Sequence, residues 1–156
     1  MDTTLSQRAT TTLFSILTGC CLIMVCSLIK IPFYPVPITM HTFAIFVLGL
    51  TQPPRTAFGS ALLYLMIGTM NPLWIIGKCG GYYLSFPIAA YVISATAKKI
   101  SPYLAIFCGQ CVIYLLGFLW LAPFVGVRIA FVKGVVFFIP SAIIKTFLAV
   151  KVVRAK

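Results

Sequence analysis

The stretch PYLAIFCGQCVIYLLGFLWLA, residues 102–122, runs for 21 residues without one charged side chain. At ~1.5 Å per residue, a helix of that length crosses the ~30 Å hydrocarbon core of a bilayer. Apolar runs recur on both sides of it, at Leu13–Ile29, about Ile38–Leu50, about Thr56–Thr69 and about Tyr82–Ala97. A last one extends from Ile129 to Val150 and is interrupted by Pro140. Proline fits the first turn of a helix, where its missing N–H costs nothing. The final helix is therefore expected to begin near Pro140, with 123–139 as a loop or short surface helix. Three prolines in IPFYPVP, 31–37, exclude helix interior there and predict an ordered outer loop or re-entrant turn. Further breaks fall at Gln52-Pro53-Pro54-Arg55, at Asn71-Pro72 (with a ragged continuation toward Ile76) and at GKCGG, 77–81. The expectation is an all-α, polytopic bundle of six transmembrane helices. Residues 1–156 form one integral membrane domain.

Composition agrees. Hydrophobic residues make up 62% of the chain, against ~45–50% in soluble domains, and the mean hydropathy is +1.11. A soluble domain this apolar would expose large greasy patches. Arg8 before an apolar stretch also suits a signal peptide, but a retained first helix is expected: five more apolar segments follow, and no small-x-small cleavage pattern precedes Lys30.

Twelve Lys and Arg stand against a single acid, Asp2. Nucleic acid binding needs a basic stripe on a soluble surface, whereas these cations lie singly between apolar runs, as membrane-flanking residues do. Seven of them (Arg8, Arg55, Lys98, Lys99, Lys151, Arg154, Lys156) fall on one side and four (Lys30, Lys78, Arg128, Lys133) on the other. The positive-inside rule then puts both termini in the cytoplasm. The proline-rich loop, the Gly-Gly loop and the start of the last helix share the outer face.

With no carboxylate pair and a single histidine, the chain offers no triad, dyad or metal set. An enzyme, a metal site and a cofactor are not expected. Cys108 and Cys111 form CGQC, a redox spacing, but it lies inside an apolar helical segment. The six cysteines read as small packing residues with an open disulfide state.

Lys145 is the cation that no interface flank absorbs. A lysine facing lipid near the bilayer centre costs ~2.5–3.5 kcal/mol, so an intramembrane lysine is a functional candidate unless it snorkels to the headgroups. Counted from Pro140, it lies ~7–8 Å below the helix start, the depth of a pocket floor. With no intramembrane acid, its natural counter-ion is an anionic ligand. Thr39 and Thr42 share a helix face if the second helix starts at Ile38, and His41 points away from Thr39. His41 is a candidate contact or a satisfied packing residue. Gly80-Gly81-Tyr82 at a helix start allows close backbone approach to a ligand, or is a plain turn. Gln110 and Tyr114, four apart, share a helix face and line a pocket or pack the bundle. Ser15 and Gly19 make a small-xxx-small pair on the first helix, which allows close helix approach.

Four blocks in register resemble the BioY family, the S-components of energy-coupling-factor (ECF) vitamin transporters that take up biotin. YPVPITMHT, 34–42, resembles the family's VPVPxTxQT. GKCGGYYL, 77–84, is similar to GPTGGYL. GQCVIYLLGFLWL, 109–121, follows the helix-five pattern, and FFIPSAIIK, 137–145, resembles PFLPGDLLK. The resemblance implies an S-component-like bundle in the cell membrane with an outward biotin pocket, roofed by the loops after helices one and three. The implied contacts are Thr39, His41, Gly80, Gly81, Tyr82, Gln110, Tyr114, Ser141 and Lys145. It also implies a membrane coupling subunit, met by helix one at Ser15 and Gly19, and two ATPase subunits. No nucleotide-binding P-loop motif occurs in this chain.

The chain departs from the pattern at His41, where the family has glutamine, and at Lys78 and Cys79 for proline and threonine. Ala142 stands where the family has an aspartate three residues before the lysine. That acid is expected to accept a hydrogen bond from the ureido ring. His41, Ser141 or a water takes its place, or the ligand is another carboxylate vitamin such as lipoate. A self-sufficient small transporter is the rival architecture, but inverted-repeat folds show internal symmetry and the two halves show none.

Overall fold

The computed structural model describes residues 2–70 and 77–155. The expected raggedness of the third helix between Asn71 and Ile76 lies outside the described residues. Seven α-helices are present among these: α1 (Asp2–Ser27), α2 (His41–Thr51), α3 (Pro54–Thr69), α4 (Gly80–Ala97), α5 (Pro102–Val125), α6 (Val127–Gly134) and α7 (Ile139–Arg154). All but α6 have eleven residues or more. By length and composition, Gln7–Ser27, Pro102–Val125 and the stretch Val127–Arg154 suffice to cross a membrane.

The helix boundaries follow local chemistry. Pro54, Pro102 and Pro140 sit in the first turns of α3, α5 and α7, where a missing N–H leaves nothing unsatisfied. Ser101 caps α5 by accepting from the Leu104 N–H at 3.3 Å. Gly126, at φ +84°, separates α5 from α6, a backbone state that glycine enters without a Cβ clash. The short surface helix expected within 123–139 is α6, followed by a 3₁₀ turn at Val136–Phe138.

Two boundaries differ from expectation. The polar opening is helical from Asp2, not from Leu13. The hydroxyls of Thr11, Thr12, Ser15 and Thr18 each donate to the carbonyl four residues back, so they are satisfied without leaving the helix. At the second helix, Ile38 and Thr39 form a strand, β2, paired antiparallel with β1 (Lys30–Ile31). The proline-rich loop is thus the turn of a two-stranded hairpin, with a cis Tyr34–Pro35 bond. Helix α2 starts only at His41. Its eleven residues reach ~16 Å, about half a bilayer core, and the hairpin occupies the space above it.

Helix α4 lies at the centre, packed on α2, α3 and α5. Its fully buried Ile93 fills a notch between two glycines: a Cβ would lie 2.6 Å from it at Gly49 and 2.4 Å at Gly109. Backbones approach this closely in membranes because small residues let van der Waals packing replace the missing hydrophobic drive. At the same end of the bundle, Gln52 stitches three helices: its Nε2 donates to Ser15 O (2.8 Å), and Ser60 Oγ donates to its Oε1 (3.0 Å). Ser94 Oγ donates to its backbone carbonyl (2.5 Å). The outward faces carry exposed Leu13, Phe14, Leu17, Phe107, Leu115 and Phe147, the surface a lipid-embedded protein presents.

Candidate substrate-binding site

At the opposite end, α2, α4, α5 and α7 meet beneath the hairpin around a narrow cleft of about 40 Å³. The lining is mostly apolar with few polar groups, as small-molecule sites are. Val36 and Pro37 of the hairpin form the roof. Tyr82, Tyr83 and Phe86 of α4 and Ile113 of α5 form walls, with Phe138 and Ala142 from the segment around the α7 start.

Lys145 is buried, 6% exposed, on the cleft lining. It lies six residues into α7, ~9 Å below the helix start. Its Nζ donates to the Thr39 carbonyl at 2.6 Å and to Thr42 Oγ1 at 3.1 Å. Both partners are dipoles, not charges. The chain's single acid, Asp2, belongs to α1, and among the described residues no acidic group pairs with the lysine.

Thr39, Tyr82, Gln110, Tyr114 and Lys145 all line this cleft. Gln110 and Tyr114 are neighbours one turn apart on α5, yet Gln110 Oε1 and Tyr114 OH are buried without a hydrogen bond of acceptable geometry. The Tyr82 hydroxyl is already used, donating to Gly134 O at 2.8 Å. Tyr83, Phe86 and Ile113 are lining residues that sequence reasoning missed. An apolar wall on a helix carries the same periodic signature as a core face.

Other candidates sit elsewhere. His41 is buried behind the wall, not on it. Its Nδ1 meets Thr39 Oγ1 at 2.7 Å and its Nε2 meets the Tyr64 hydroxyl at 2.6 Å. Its ring packs on Phe86, Tyr83 and Tyr64 at centroid distances of 5.8, 5.6 and 5.5 Å. The expected opposition of His41 and Thr39 fails because Thr39 is in a strand. Gly80 and Gly81 are buried off the cleft, and a Cβ on Gly81 would fall 2.2 Å from Trp120 Cβ and 2.6 Å from Leu116 O. That close approach is to helix α5. Ser141 is half-buried outside the lining. Gly19 faces inward, where a Cβ would meet Ser60 Oγ at 2.4 Å, and the Ser15 carbonyl is held by Gln52. The small pair on α1 thus serves its own chain, Gly19 against α3 and the Ser15 carbonyl against Gln52 at the end of α2. The six cysteines are free thiols.

At the mouth, three segments interlock. Lys78 Nζ donates to the Tyr34 hydroxyl at 3.0 Å and lies 4.5 Å from its ring centre, while Phe33 packs on Phe137 at 5.7 Å. The Lys78 ammonium beside Tyr34 lowers the phenol's pKa from its ordinary value.

The fold defines a class: a helical membrane bundle of the S-component type. It superposes with a TM-score of 0.83 on the crystal structure of "the S-component for biotin from an ECF-type ABC transporter", over 96% of this chain and 92% of that one, at 21% identity. The chain belongs to the BioY family, whose sequence model matches residues 1–156. It is similar to a probable biotin transporter BioY of Pyrococcus horikoshii, 37% identical over 78% of this chain and 81% of that protein. A probable biotin transporter BioY of Rickettsia prowazekii is 36% identical over 83% and 75%, and the biotin transporter BioY2 of Lactococcus lactis 28% identical over 88% and 87%.

Proposed function

We propose that this protein is the substrate-binding subunit of a biotin transporter, taking biotin from outside the cell into the cleft above Lys145. The observation that carries the reading is the Lys145 ammonium, buried in a mostly apolar cleft and facing only a carbonyl and a hydroxyl. A buried cation with no anionic partner is costly, and a carboxylate ligand supplies one through a charge-assisted hydrogen bond. Thr39, Tyr82, Gln110 and Tyr114 contact the bound vitamin, with the aromatic walls covering its ring system. Thr39 is shared between the lysine, through its carbonyl, and His41, through its hydroxyl. His41 is therefore a positioning residue for the hairpin.

The chain is one membrane domain over residues 1–156, multi-pass in the plasma membrane. Both termini are cytoplasmic, and the hairpin and the 77–81 loop are on the outside. The seven-to-four distribution of flanking cations supports this orientation. The energy for release comes from a membrane coupling subunit and two ATPases. Because Gly19 and Ser15 are engaged with α3 and Gln52, the face of α1 open to the coupling subunit is that of Leu13, Phe14 and Leu17. Uptake of radiolabelled biotin by cells expressing this chain, with and without the coupling and ATPase subunits, tests the reading. Accumulation only with the partners present is expected. Equal accumulation without them would make this a self-sufficient transporter.

A further inference from the structure

We infer that Gln110 and Tyr114 read the uncharged N–H donors of the ligand, with Gln110 Oε1 as the principal acceptor. The inference rests on the biotin reading above and names the groups that recognise its cyclic urea.

The cleft must offer acceptors to that ring, which carries two N–H donors about one carbonyl. A carboxylate is not available, since Asp2 is the chain's sole acid and position 142 on the cleft lining is alanine. Most other polar groups of the lining are spent. Thr39 gives its carbonyl to Lys145 and its hydroxyl to His41. Thr42 Oγ1 accepts from Lys145, and the Tyr82 hydroxyl donates to Gly134. Among the described residues, the buried side-chain oxygens left without a partner are Gln110 Oε1 and Tyr114 OH. Both belong to the lining of this one cleft, and Gln110 is only 8% exposed.

Native structures satisfy nearly all buried polar side-chain atoms, so two orphans on one face of one helix call for a cause. Gln110 and Tyr114 are four apart and therefore stacked on the same face of α5. Ala142 lines the cleft with them and presents only a methyl group there. A groove outside α5 and α7, lined by Tyr103, Phe107 and Phe147, also touches both side chains. Both oxygens are buried from the groove and from the cleft alike in the ligand-free chain. A neutral amide acceptor has a chemical advantage in this setting. It escapes the large desolvation cost of a buried carboxylate while still meeting an N–H donor at full hydrogen-bond strength.

The test uses the whole chain in lipid nanodiscs, titrated by calorimetry with biotin and with biotin methylated on both ureido nitrogens. Gln110→Met keeps length and removes the acceptor. An N–H left unpaired in a buried site corresponds to about a ten- to hundredfold loss of biotin affinity. The methylated ligand, which has no N–H to lose, is expected to change less than threefold between the native chain and the variant. The ligand-free melting temperature of Gln110→Met should fall little, because the native oxygen makes no hydrogen bond of good geometry beyond its approach to Tyr114. Tyr114→Phe is judged by the same ligand comparison if Gln110→Met does not fold. Biotin binding within threefold of native, or equal losses for both ligands, would overturn the inference and leave the biotin reading standing. Failure of the native chain to bind biotin would overturn both.

Discussion

The ammonium of Lys145 on α7 donates to the backbone carbonyl of Thr39 at 2.6 Å, joining residues 106 positions apart in the chain. The contact fastens the last helix to the hairpin that roofs the cleft, so one side chain serves both the site and the closure above it. Lys145→Met keeps the length and removes the charge. Biotin affinity should fall about ten- to a hundredfold, the value of a charge-assisted hydrogen bond of ~1.5–3 kcal/mol. Biotin amide, which lacks the carboxylate charge, should lose less. Equal losses measured by calorimetry would show that Lys145 does not read the carboxylate.

His41 gives the opposite expectation. It hydrogen-bonds Thr39 and Tyr64 behind the cleft wall, so His41→Leu should leave both partners short of a bond and cost about 1–3 kcal/mol of stability. The glutamine of the family pattern, His41→Gln, should keep much of that stability and bind biotin within a few-fold of native. Thermal unfolding in detergent with calorimetry checks both. A hundredfold affinity loss in a fully stable His41→Gln would place the ring in contact with ligand.

Gly81→Ala should destabilise the bundle. Its Cβ would meet Trp120 Cβ at 2.2 Å and the Leu116 carbonyl at 2.6 Å, and backbone cannot yield cheaply. Overpacking of this kind costs about 1–3 kcal/mol or more. The melting temperature should drop, while the folded fraction keeps its biotin affinity. Native stability with lost binding would move Gly81 from helix packing to the site.

These cases mark where the sequence was readable. The apolar runs and prolines placed six helices because bilayer thickness and the chemistry of the first helical turn leave few choices. Lys145 stood out because charge is so rare in these segments. Thr39, Tyr82, Gln110 and Tyr114 reach the same cleft, although their periodicity alone was equally compatible with packing. Small residues were harder. Gly81 and Gly19 report that something comes close, but a neighbouring helix and a ligand or partner subunit leave the same mark. The pair Ile38–Thr39 reads as the start of a helix in the sequence because its pairing partner, Lys30–Ile31, lies across a proline-rich turn. Pairing across such a turn has no periodic signature.

Orientation is testable at two positions. In a background with the six native cysteines replaced, a cysteine at Lys78 should react with an impermeant maleimide from outside intact cells. One at Lys98 should react only after permeabilisation. Labelling of position 98 from outside would reverse the topology and place the cleft on the cytoplasmic side.

Ligand identity bears on everything else. Calorimetry of the purified chain against biotin and lipoate is the most direct measurement of it. Tight, saturable biotin binding at one site per chain is expected, in the nanomolar range (~−12 kcal/mol), with lipoate weaker. No heat with biotin together with clear binding of lipoate would contradict it.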